Sequence, residues 1–270
     1  MKTSIRRTGL VVSLSLIVIL SIAPVLSGCK REAVIKIGAS EVPHAEILEF
    51  VAPLLEEEGI KIEIVEFSDY VQPNIQLADG QLAANFFQHI PYFEGFIAER
   101  NLDLIWTAKV HIEPMGGYPG KVKALAELGE GDQIGIPNDV TNGGRALMLL
   151  EKAGLIKLKD GIGVGATVLD IVENHKKLQI VELNAEILPR SLEDLAVAVI
   201  NGNFAIQAGL SPLDDSMFRE DGESAYVNVL AIRSEDKDDP DLKRIAEVLT
   251  GPEVKQFILD NYEGGVVPAF

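Results

Sequence analysis

The feature that most constrains the fold is an alternation of short apolar strands with amphipathic helices near the start of the chain. Residues 34–39 form an apolar run, and residues 61–67 alternate apolar and polar side chains, as β-strands do. Between them, apolar positions recur three and four residues apart from 44 to 58, which predicts a helix that Gly59 ends. A second helix and a third strand follow. This β-α-β-α-β-α order predicts an α/β fold with a parallel sheet and right-handed crossovers.

Two extended apolar segments interrupt the alternation. Residues 104–112 lead into a stretch rich in glycine and proline, and residues 226–233 form the second segment. We interpret them as two crossings between two lobes. The first lobe is predicted at 33–112 plus 234–270, and the second at 113–233. Two crossings can form a hinge, and the central cleft between the lobes is the expected ligand site.

The N-terminus has the pattern of a secretory signal. A positively charged start precedes an apolar run from residue 10 to residue 26. The run ends in Leu26-Ser27-Gly28-Cys29, which resembles the bacterial lipobox, whose cysteine is lipidated and becomes the mature N-terminus. The alternative is a membrane-spanning helix with an accidental cysteine, since the run is about long enough to span. We predict a lipoprotein signal peptide at 1–28, lipidation at Cys29 and a lipid-anchored tether at 29–32.

Charge and cysteine content exclude several classes of protein. The formal net charge is −17, and removal of residues 1–28 would make it three units more negative. Such a surface repels phosphate backbones and anionic lipids, so nucleic acid is not an expected partner and membrane attachment must come from acyl chains. Cys29 is the only cysteine, so the mature domain has no disulfide and no cysteine nucleophile.

No motif of an enzyme is present. The four histidines, at 44, 89, 111 and 175, lack metal-ligand spacing, and no G-x-S-x-G elbow occurs. Neither paired carboxylates nor a nucleophile with its base stand at a recognisable spacing. We therefore expect no catalysis, no cofactor and no metal.

Aromatic and polar side chains concentrate in residues 85–92, where the third predicted strand ends. In open α/β sheets, ligands bind outside the carboxyl ends of the strands. The residues alone leave open whether Phe87, His89 and Tyr92 line a ligand site or pack in the core. With Tyr70, the two aromatic rings could enclose a flexible side chain, and sulfur–aromatic contacts stabilise by about 0.3–1.5 kcal/mol.

Arg145 directly follows two glycines at the predicted start of a helix. A cation there opposes the helix dipole, which is reasonable if an anion lies between them, and a bidentate carboxylate fits best. The alternative is an arginine that faces solvent or an acid of the other lobe. Asn142 has helix capping as its simplest role. Asn201 and Asn228 end or interrupt apolar strands, where a polar side chain must find partners.

Several motifs in combination resemble the NlpA/MetQ lipoproteins, the methionine-binding components of bacterial ABC importers. The motifs are Asp69–Asn74, Asn85–His89, Pro91-Tyr92, Lys109–Gly116, Pro137–Asp139, Thr141–Leu147, Leu188–Leu192 and Ile200–Asn203. The resemblance covers essentially all of the mature chain. It implies a two-lobed periplasmic-binding-protein fold that captures methionine for a membrane permease and its ATPase.

The resemblance also implies roles for individual residues. Arg145 would hold the ligand carboxylate, and Asn201 and Asn228 its carboxylate and amino groups. His89 would lie close to the ligand, and the three aromatic residues would surround its side chain. The chain departs from the family pattern at Ala83, Ile90, Gly117, Gly120 and Ala196.

The sequence thus predicts a monomeric, lipid-anchored receptor for L-methionine or a close relative, on the periplasmic or outer face of the cell membrane. The candidate ligand-binding residues are Tyr70, Phe87, His89, Tyr92, Asn142, Arg145, Asn201 and Asn228. Two alternatives remain open. One is a surface adhesin or structural lipoprotein with a degenerate cleft, and the other is a receptor for another amino acid or a methionine-containing dipeptide.

Overall fold

The computed structural model describes residues 34–221 and 225–270. Strands and helices alternate along the first part of the chain in the predicted order. These elements are β1 (Ile35–Ser40), α1 (Glu46–Glu57), β2 (Ile62–Phe67), α2 (Gln72–Ala78), β3 (Ala84–His89), α3 (Ile90–Arg100) and β4 (Leu104–Ile112). The chain continues with β5 (Gly116–Pro119), β6 (Gln133–Pro137), α4 (Val140–Lys152), β7 (Lys157–Leu158), β8 (Ile171–Glu173), β9 (Gln179–Leu183), β10 (Val197–Ile200), α5 (Gly202–Gln207), β11 (Phe218–Arg219), β12 (Val227–Arg233), α6 (Pro240–Leu249), α7 (Pro252–Asn261) and β13 (Val267–Pro268).

The larger sheet has six strands in the order β13-β4-β12-β3-β1-β2. β1 pairs in parallel with both β2 and β3, as predicted. β12 instead pairs antiparallel with β3 and β4, and β13 pairs antiparallel with β4, so the sheet is mixed rather than wholly parallel. We call this sheet, with α1, α2, α3, α6 and α7 packed on it, the first lobe.

The second sheet has five strands in the order β11-β5-β10-β6-β9. β6 lies parallel to β9 and β10, while β5 runs antiparallel to β10 and β11. α4 packs on β6, and α5 follows β10 directly. We call this sheet and its helices the second lobe.

The two crossings between the sheets differ in how well the sequence locates them. The chain leaves the first sheet after Ile112 and enters the second at Gly116, inside the predicted stretch. The second crossing was placed at 226–233, and this placement is wrong because β12 lies inside the first sheet between β3 and β4. Five consecutive residues of β12 are buried, and a strand buried on both faces belongs in the interior of a sheet. The chain therefore returns before Val227.

Each lobe has its own apolar core. In the first lobe, α1 buries the stripe Ile47, Leu48, Val51 and Leu55 completely. Full burial of such a side chain stabilises the fold by about 1.5–3 kcal/mol. In the second lobe, α4 and β6 supply a separate cluster of aliphatic side chains. These two clusters are separate, and Tyr70 of the first lobe packs against a further cluster in the second lobe.

The chain directions place that site. β3 ends at His89, and β10 ends one residue before Asn201. Both carboxyl ends border the same space between the lobes, as does the first turn of α4. This is the edge at which open α/β sheets bind ligands.

The predicted signal peptide at 1–28, the tether at 29–32 and the lipidation site at Cys29 lie outside the described residues. None of the helices in the described ranges is both long enough and apolar enough to span a bilayer.

Gly117 gives a test of the second lobe's packing. A Cβ atom at this position would lie 2.1 Å from the Phe218 ring, which β11 places over β5. We therefore expect Gly117→Ala to lower the free energy of unfolding by about 1–3 kcal/mol, the usual cost of overpacking. Urea unfolding measures the change. Gly165→Ala is the matched control, because no heavy atom lies within 4 Å of its added Cβ. Equal stability of Gly117→Ala and wild type would contradict the packing described.

Candidate functional site

A cavity lies between the two lobes. All eight candidate ligand-binding residues line it: Tyr70, Phe87, His89, Tyr92, Asn142, Arg145, Asn201 and Asn228. Gln88, Glu113, Gly202 and Asn203 complete the lining. The structure thus brings the predicted residues together, and their contact with a ligand stays a prediction.

Three aromatic rings form the first-lobe wall of the cavity. The ring centroids of Tyr70, Phe87 and Tyr92 lie 5.8–6.2 Å apart. The Tyr92 hydroxyl donates to the Tyr70 backbone oxygen (2.9 Å), and the Tyr70 hydroxyl donates to Asn203 Oδ1 of the second lobe (2.6 Å). Both hydroxyl protons are thereby used within the protein, and the rings give the cavity an apolar side.

A buried amide network holds this wall in place. Asn74 and Gln88 exchange two hydrogen bonds of 2.7 Å, and Asn85 Nδ2 donates to Asn74 Oδ1 (2.8 Å). Asn74 belongs to α2, whereas Asn85 and Gln88 belong to β3. Because buried amides are costly unless paired, this network fixes the segment that carries Tyr70 against β3.

Both ring nitrogens of His89 are occupied. Nδ1 accepts from the Tyr92 backbone N–H (3.1 Å), which caps α3. Nε2 lies 3.0 Å from Asn142 Oδ1 and must donate to it, because the proton is not on Nδ1. Burial, and secondarily the charge of Arg145, lower the pKa of His89 to about 3, so the ring is neutral. The residues alone left open whether His89 lines a ligand site or packs in the core; it lines the cavity, with both ring nitrogens bonded within the protein.

Asn142 is a junction between the lobes rather than a helix cap. The cap of α4 is Asp139, whose carboxylate accepts from the Asn142 backbone N–H (2.9 Å). The same carboxylate accepts from Asn142 Nδ2 at 3.0 and 3.1 Å, which turns Oδ1 away from it. Oδ1 then accepts from His89 and from Asn201 Nδ2 (2.8 Å). The capping role predicted for Asn142 is wrong, because Asp139 three residues earlier fills it.

Arg145 is paired within the protein. It is the sixth residue of α4, not part of its first turn, so the argument from the helix dipole does not apply to it. Its Nε and one Nη donate to Glu220 at 2.8 and 2.5 Å, and the same Nη donates to the Glu113 backbone oxygen (2.9 Å). Its guanidinium stacks 4.0 Å from the Tyr226 ring centroid. A bidentate carboxylate partner was expected, and the one present is Glu220 of the same lobe.

Glu113 brings a buried carboxylate to the cavity. It follows β4 in the first crossing and is 6% exposed. His111 Nε2 donates to its Oε1 (2.7 Å), and His44 Nε2 lies 3.3 Å from the same oxygen. Burial raises the pKa of Glu113, although His44 and Arg145 oppose the shift. Burial also lowers the pKa of His44 to about 4 and that of His111 to about 3, so both rings are neutral beside the carboxylate.

These three side chains are the group among the described residues that most resembles a metal site. Their ligand atoms lie within 4.8 Å of one another. Metal-ligating histidines almost always donate their second ring N–H to a partner. The Nδ1 atoms of His44 and His111 are buried without a hydrogen-bond partner, so a metal on Nε2 would leave two buried N–H groups unpaired. The arrangement fits neutral histidines that hold a carboxylate better than it fits a metal centre.

Two asparagines present polar atoms to the cavity. Asn201 uses Nδ2 for Asn142, and its buried Oδ1 has no hydrogen-bond partner. Asn228 uses Oδ1 for His44 Nε2 (3.1 Å). An unpaired buried acceptor is costly, so Asn201 Oδ1 is suited to a donor supplied by a ligand.

Sequence reasoning missed four cavity residues, of which Glu113 carries the most chemistry. One signal could have found it, because an acid directly after a long apolar strand needs a buried partner. Gln88 and Asn203 belong to motifs that were recognised without a role. Gly202 lies against Glu113, where a Cβ would come within 2.8 Å of the Glu113 Cβ.

Comparison with known proteins agrees with this architecture. The sequence profile of the NlpA lipoprotein family matches residues 35–270. The D-methionine-binding lipoprotein MetQ of Salmonella typhimurium is 44% identical over 251 residues, which are 90% of this chain and 92% of the relative. MetQ of Escherichia coli is 44% identical over 86% of this chain and 87% of its own. A nutrient binding protein from Burkholderia cenocepacia, solved bound to methionine, superposes with a TM-score of 0.85 at 44% identity, covering 88% of this chain and all of that one.

The neutrality of three cavity histidines can be tested by NMR. The pKa values of His44, His89 and His111 are lowered to about 4, 3 and 3, so their rings should keep the ¹⁵N shifts of neutral imidazole from roughly pH 8 to pH 5. In His89 the proton should be on Nε2. Single substitutions to Gln assign the signals. Titration of any of the three rings above roughly pH 5.5 would contradict the burial and hydrogen bonding described here.

Proposed function

The chain belongs to the NlpA lipoprotein family, and on that premise we propose that it is a lipid-anchored receptor for methionine. The ligand would bind in the cavity between the lobes and pass from there to an ABC permease with its ATPase. One observation carries the proposal. The cavity sets a buried carboxylate and a buried guanidinium beside a wall of aromatic rings, which complements the three parts of a small apolar amino acid.

The ammonium group would lie at Glu113. The carboxylate is buried, and the two histidines that contact it are neutral, so it lacks a full counter-charge on that side. Asn201 Oδ1 supplies a second acceptor with no partner of its own. An ammonium donates three hydrogen bonds and would pair the charge of Glu113 as well as the orphan oxygen.

The carboxylate would lie at Arg145. Glu220 occupies Nε and one Nη, so a ligand would approach the other end of the guanidinium. Asn228 uses Oδ1 within the protein, and its Nδ2 is the end that can donate to a carboxylate. Glu220 keeps Arg145 in one orientation, which lowers the entropy lost when a ligand binds.

The ligand's side chain would lie against Tyr70, Phe87 and Tyr92. The hydroxyl protons of Tyr70 and Tyr92 are donated to other partners, so the slot presents the faces and edges of the three rings. A thioether is flexible and polarizable, and sulfur–aromatic contacts add about 0.3–1.5 kcal/mol. Methionine is therefore favoured over a branched aliphatic residue of similar volume.

Attachment to the membrane would use acyl chains on Cys29 after removal of residues 1–28. The strongly negative chain gives no electrostatic attraction to anionic lipids, so the lipid would be the anchor. The receptor would act as a monomer on the extracytoplasmic face of the membrane. The short tether at 29–32 would keep the lobes near the permease, and their closure around methionine would mark the loaded state. No reaction is proposed.

Calorimetry with a ligand series tests the proposal. Co-purified ligand is first removed by partial unfolding and refolding. At least one enantiomer of methionine, L or D, should then bind the protein with a dissociation constant in the micromolar range or below. N-acetyl-methionine should not bind, because its neutral amide offers one N–H instead of the three of an ammonium and leaves Glu113 without a positive partner. Methionine amide tests the carboxylate end, and leucine and a methionine-containing dipeptide test the slot. If none of the amino acids or peptides bound, the receptor would be refuted in favour of a structural lipoprotein or adhesin.

Substitution of Arg145 tests the carboxylate position. Arg145→Ala should weaken methionine binding by about 2–5 kcal/mol, the usual cost of removing one partner of a buried charge pair. Arg244→Ala is the matched control. Arg244 also makes a bidentate pair, with Glu58 at 2.7 and 2.8 Å, but it is exposed and does not line the cavity. Its loss should leave affinity unchanged. Wild-type affinity in Arg145→Ala would show that the ligand carboxylate binds elsewhere.

A further inference from the structure

Two hydrogen bonds from the first lobe cross the cavity to the second. The Tyr70 hydroxyl donates to Asn203, and His89 Nε2 contacts Asn142 Oδ1 at 3.0 Å. We propose that His89 is a positioning residue that latches the lobes together through Asn142 and makes no hydrogen bond to the ligand. The inference deepens the proposed function, on which it rests, by separating the residues that hold the lobes closed from those that hold methionine.

The hydrogen-bond inventory of His89 supports a latch. A neutral imidazole has one donor and one acceptor. The acceptor, Nδ1, takes the Tyr92 backbone N–H and so caps α3 within the first lobe. The donor, Nε2, reaches Asn142 in the second lobe. No polar capacity remains for a ligand, although the ring lies in the cavity wall.

The acceptor at the other end is fixed independently of His89. Asp139 holds Asn142 Nδ2 with both carboxylate oxygens, so Oδ1 cannot flip away. The same Oδ1 accepts from Asn201 Nδ2, and that bond turns the unpaired Asn201 Oδ1 to its buried position. The latch therefore ends on the amide that orients one of the proposed ligand-binding groups.

A latch and a ligand contact make different predictions. The bond between His89 and Asn142 can form only when the lobes are together, so it stabilises the closed state by the same amount whatever ligand is inside. Loss of this bond should lower the affinity for every ligand by the same factor, mainly by raising the dissociation rate constant. A direct contact would instead change the preference between ligands.

His89→Asn is the discriminating variant. Asparagine is among the best N-cap residues and can still accept from the Tyr92 N–H, but it is too short to reach Asn142. Loss of one neutral buried hydrogen bond should weaken L-methionine binding about 3- to 10-fold, with faster dissociation and little change in association. The ratio of affinities for L-methionine and L-norleucine should stay at its wild-type value. A changed ratio would overturn the latch in favour of a direct contact.

A double-mutant cycle completes the test. In an Asn142→Ala background, His89→Asn should have no further effect on affinity, because its partner is absent. Additive losses would show that His89 acts elsewhere and would refute the proposal. Far-UV circular dichroism checks that α3 remains folded, and His89→Ser, which also keeps a capping oxygen, serves if His89→Asn is unstable.

Scattering separates failure of the latch from failure of the proposed function. Small-angle X-ray scattering of ligand-free protein should give a larger radius of gyration for His89→Asn than for wild type, since fewer molecules are closed. An equal radius would overturn the latch. If the wild type bound no methionine, the receptor function would fail, and this measurement would still decide the role of His89.

Discussion

The amide of Asn142 is the point on which the geometry of the cavity depends. Asp139 caps α4 and, with the same carboxylate, holds the Asn142 Nδ2 group. A carboxylate at a helix N-terminus is stabilised by the dipole and the free N–H groups, so its position is secure even though burial raises its pKa. Oδ1 is thereby aimed at the space between the lobes, where donors from both lobes converge on it. The capping interaction of α4 thus also fixes the position of an amide oxygen to which both lobes donate hydrogen bonds.

The charged side chains around the cavity differ in how far they are paired within the protein. Arg145 and Glu220 form a bidentate pair and largely cancel, so Arg145 can be buried at 3% exposure without a ligand. Glu113 has no such bidentate partner, since Arg145 donates only to its backbone oxygen, and burial raises the pKa of its carboxyl group. A zwitterion would place its ammonium at Glu113 and its carboxylate at an arginine that is already oriented, without changing the net charge of the cavity. An anionic ligand without an ammonium group would leave Glu113 uncompensated and would be disfavoured.

How far the sequence predicts such a site depends on the range of each interaction. The carboxyl end of β3 and its aromatic residues follow from local patterns, and all eight candidate residues do line one cavity. The cap was misassigned because Asp139 and Asn142 both qualify by residue type, and only the structure shows which side chain bonds the backbone. Glu220 is 75 residues from Arg145, and no spacing rule links them. Residues 226–233 were interpreted as a crossing because the sequence of an apolar extended segment does not show whether it connects two sheets or lies in the centre of one.

The buried histidines explain how Glu113 can remain available for an ammonium. A lysine or arginine in the place of His44 or His111 would form a full ion pair with the carboxylate and remove its attraction for a ligand. Neutral imidazole donates a hydrogen bond without a charge, so it orients the carboxylate and leaves its charge uncancelled. The unpaired Nδ1 atoms reinforce this state, because protonation would create buried N–H groups with no acceptor. The first lobe therefore contributes more than the aromatic slot, because His44 and His111 also orient the carboxylate that would recognise the amino end of the ligand.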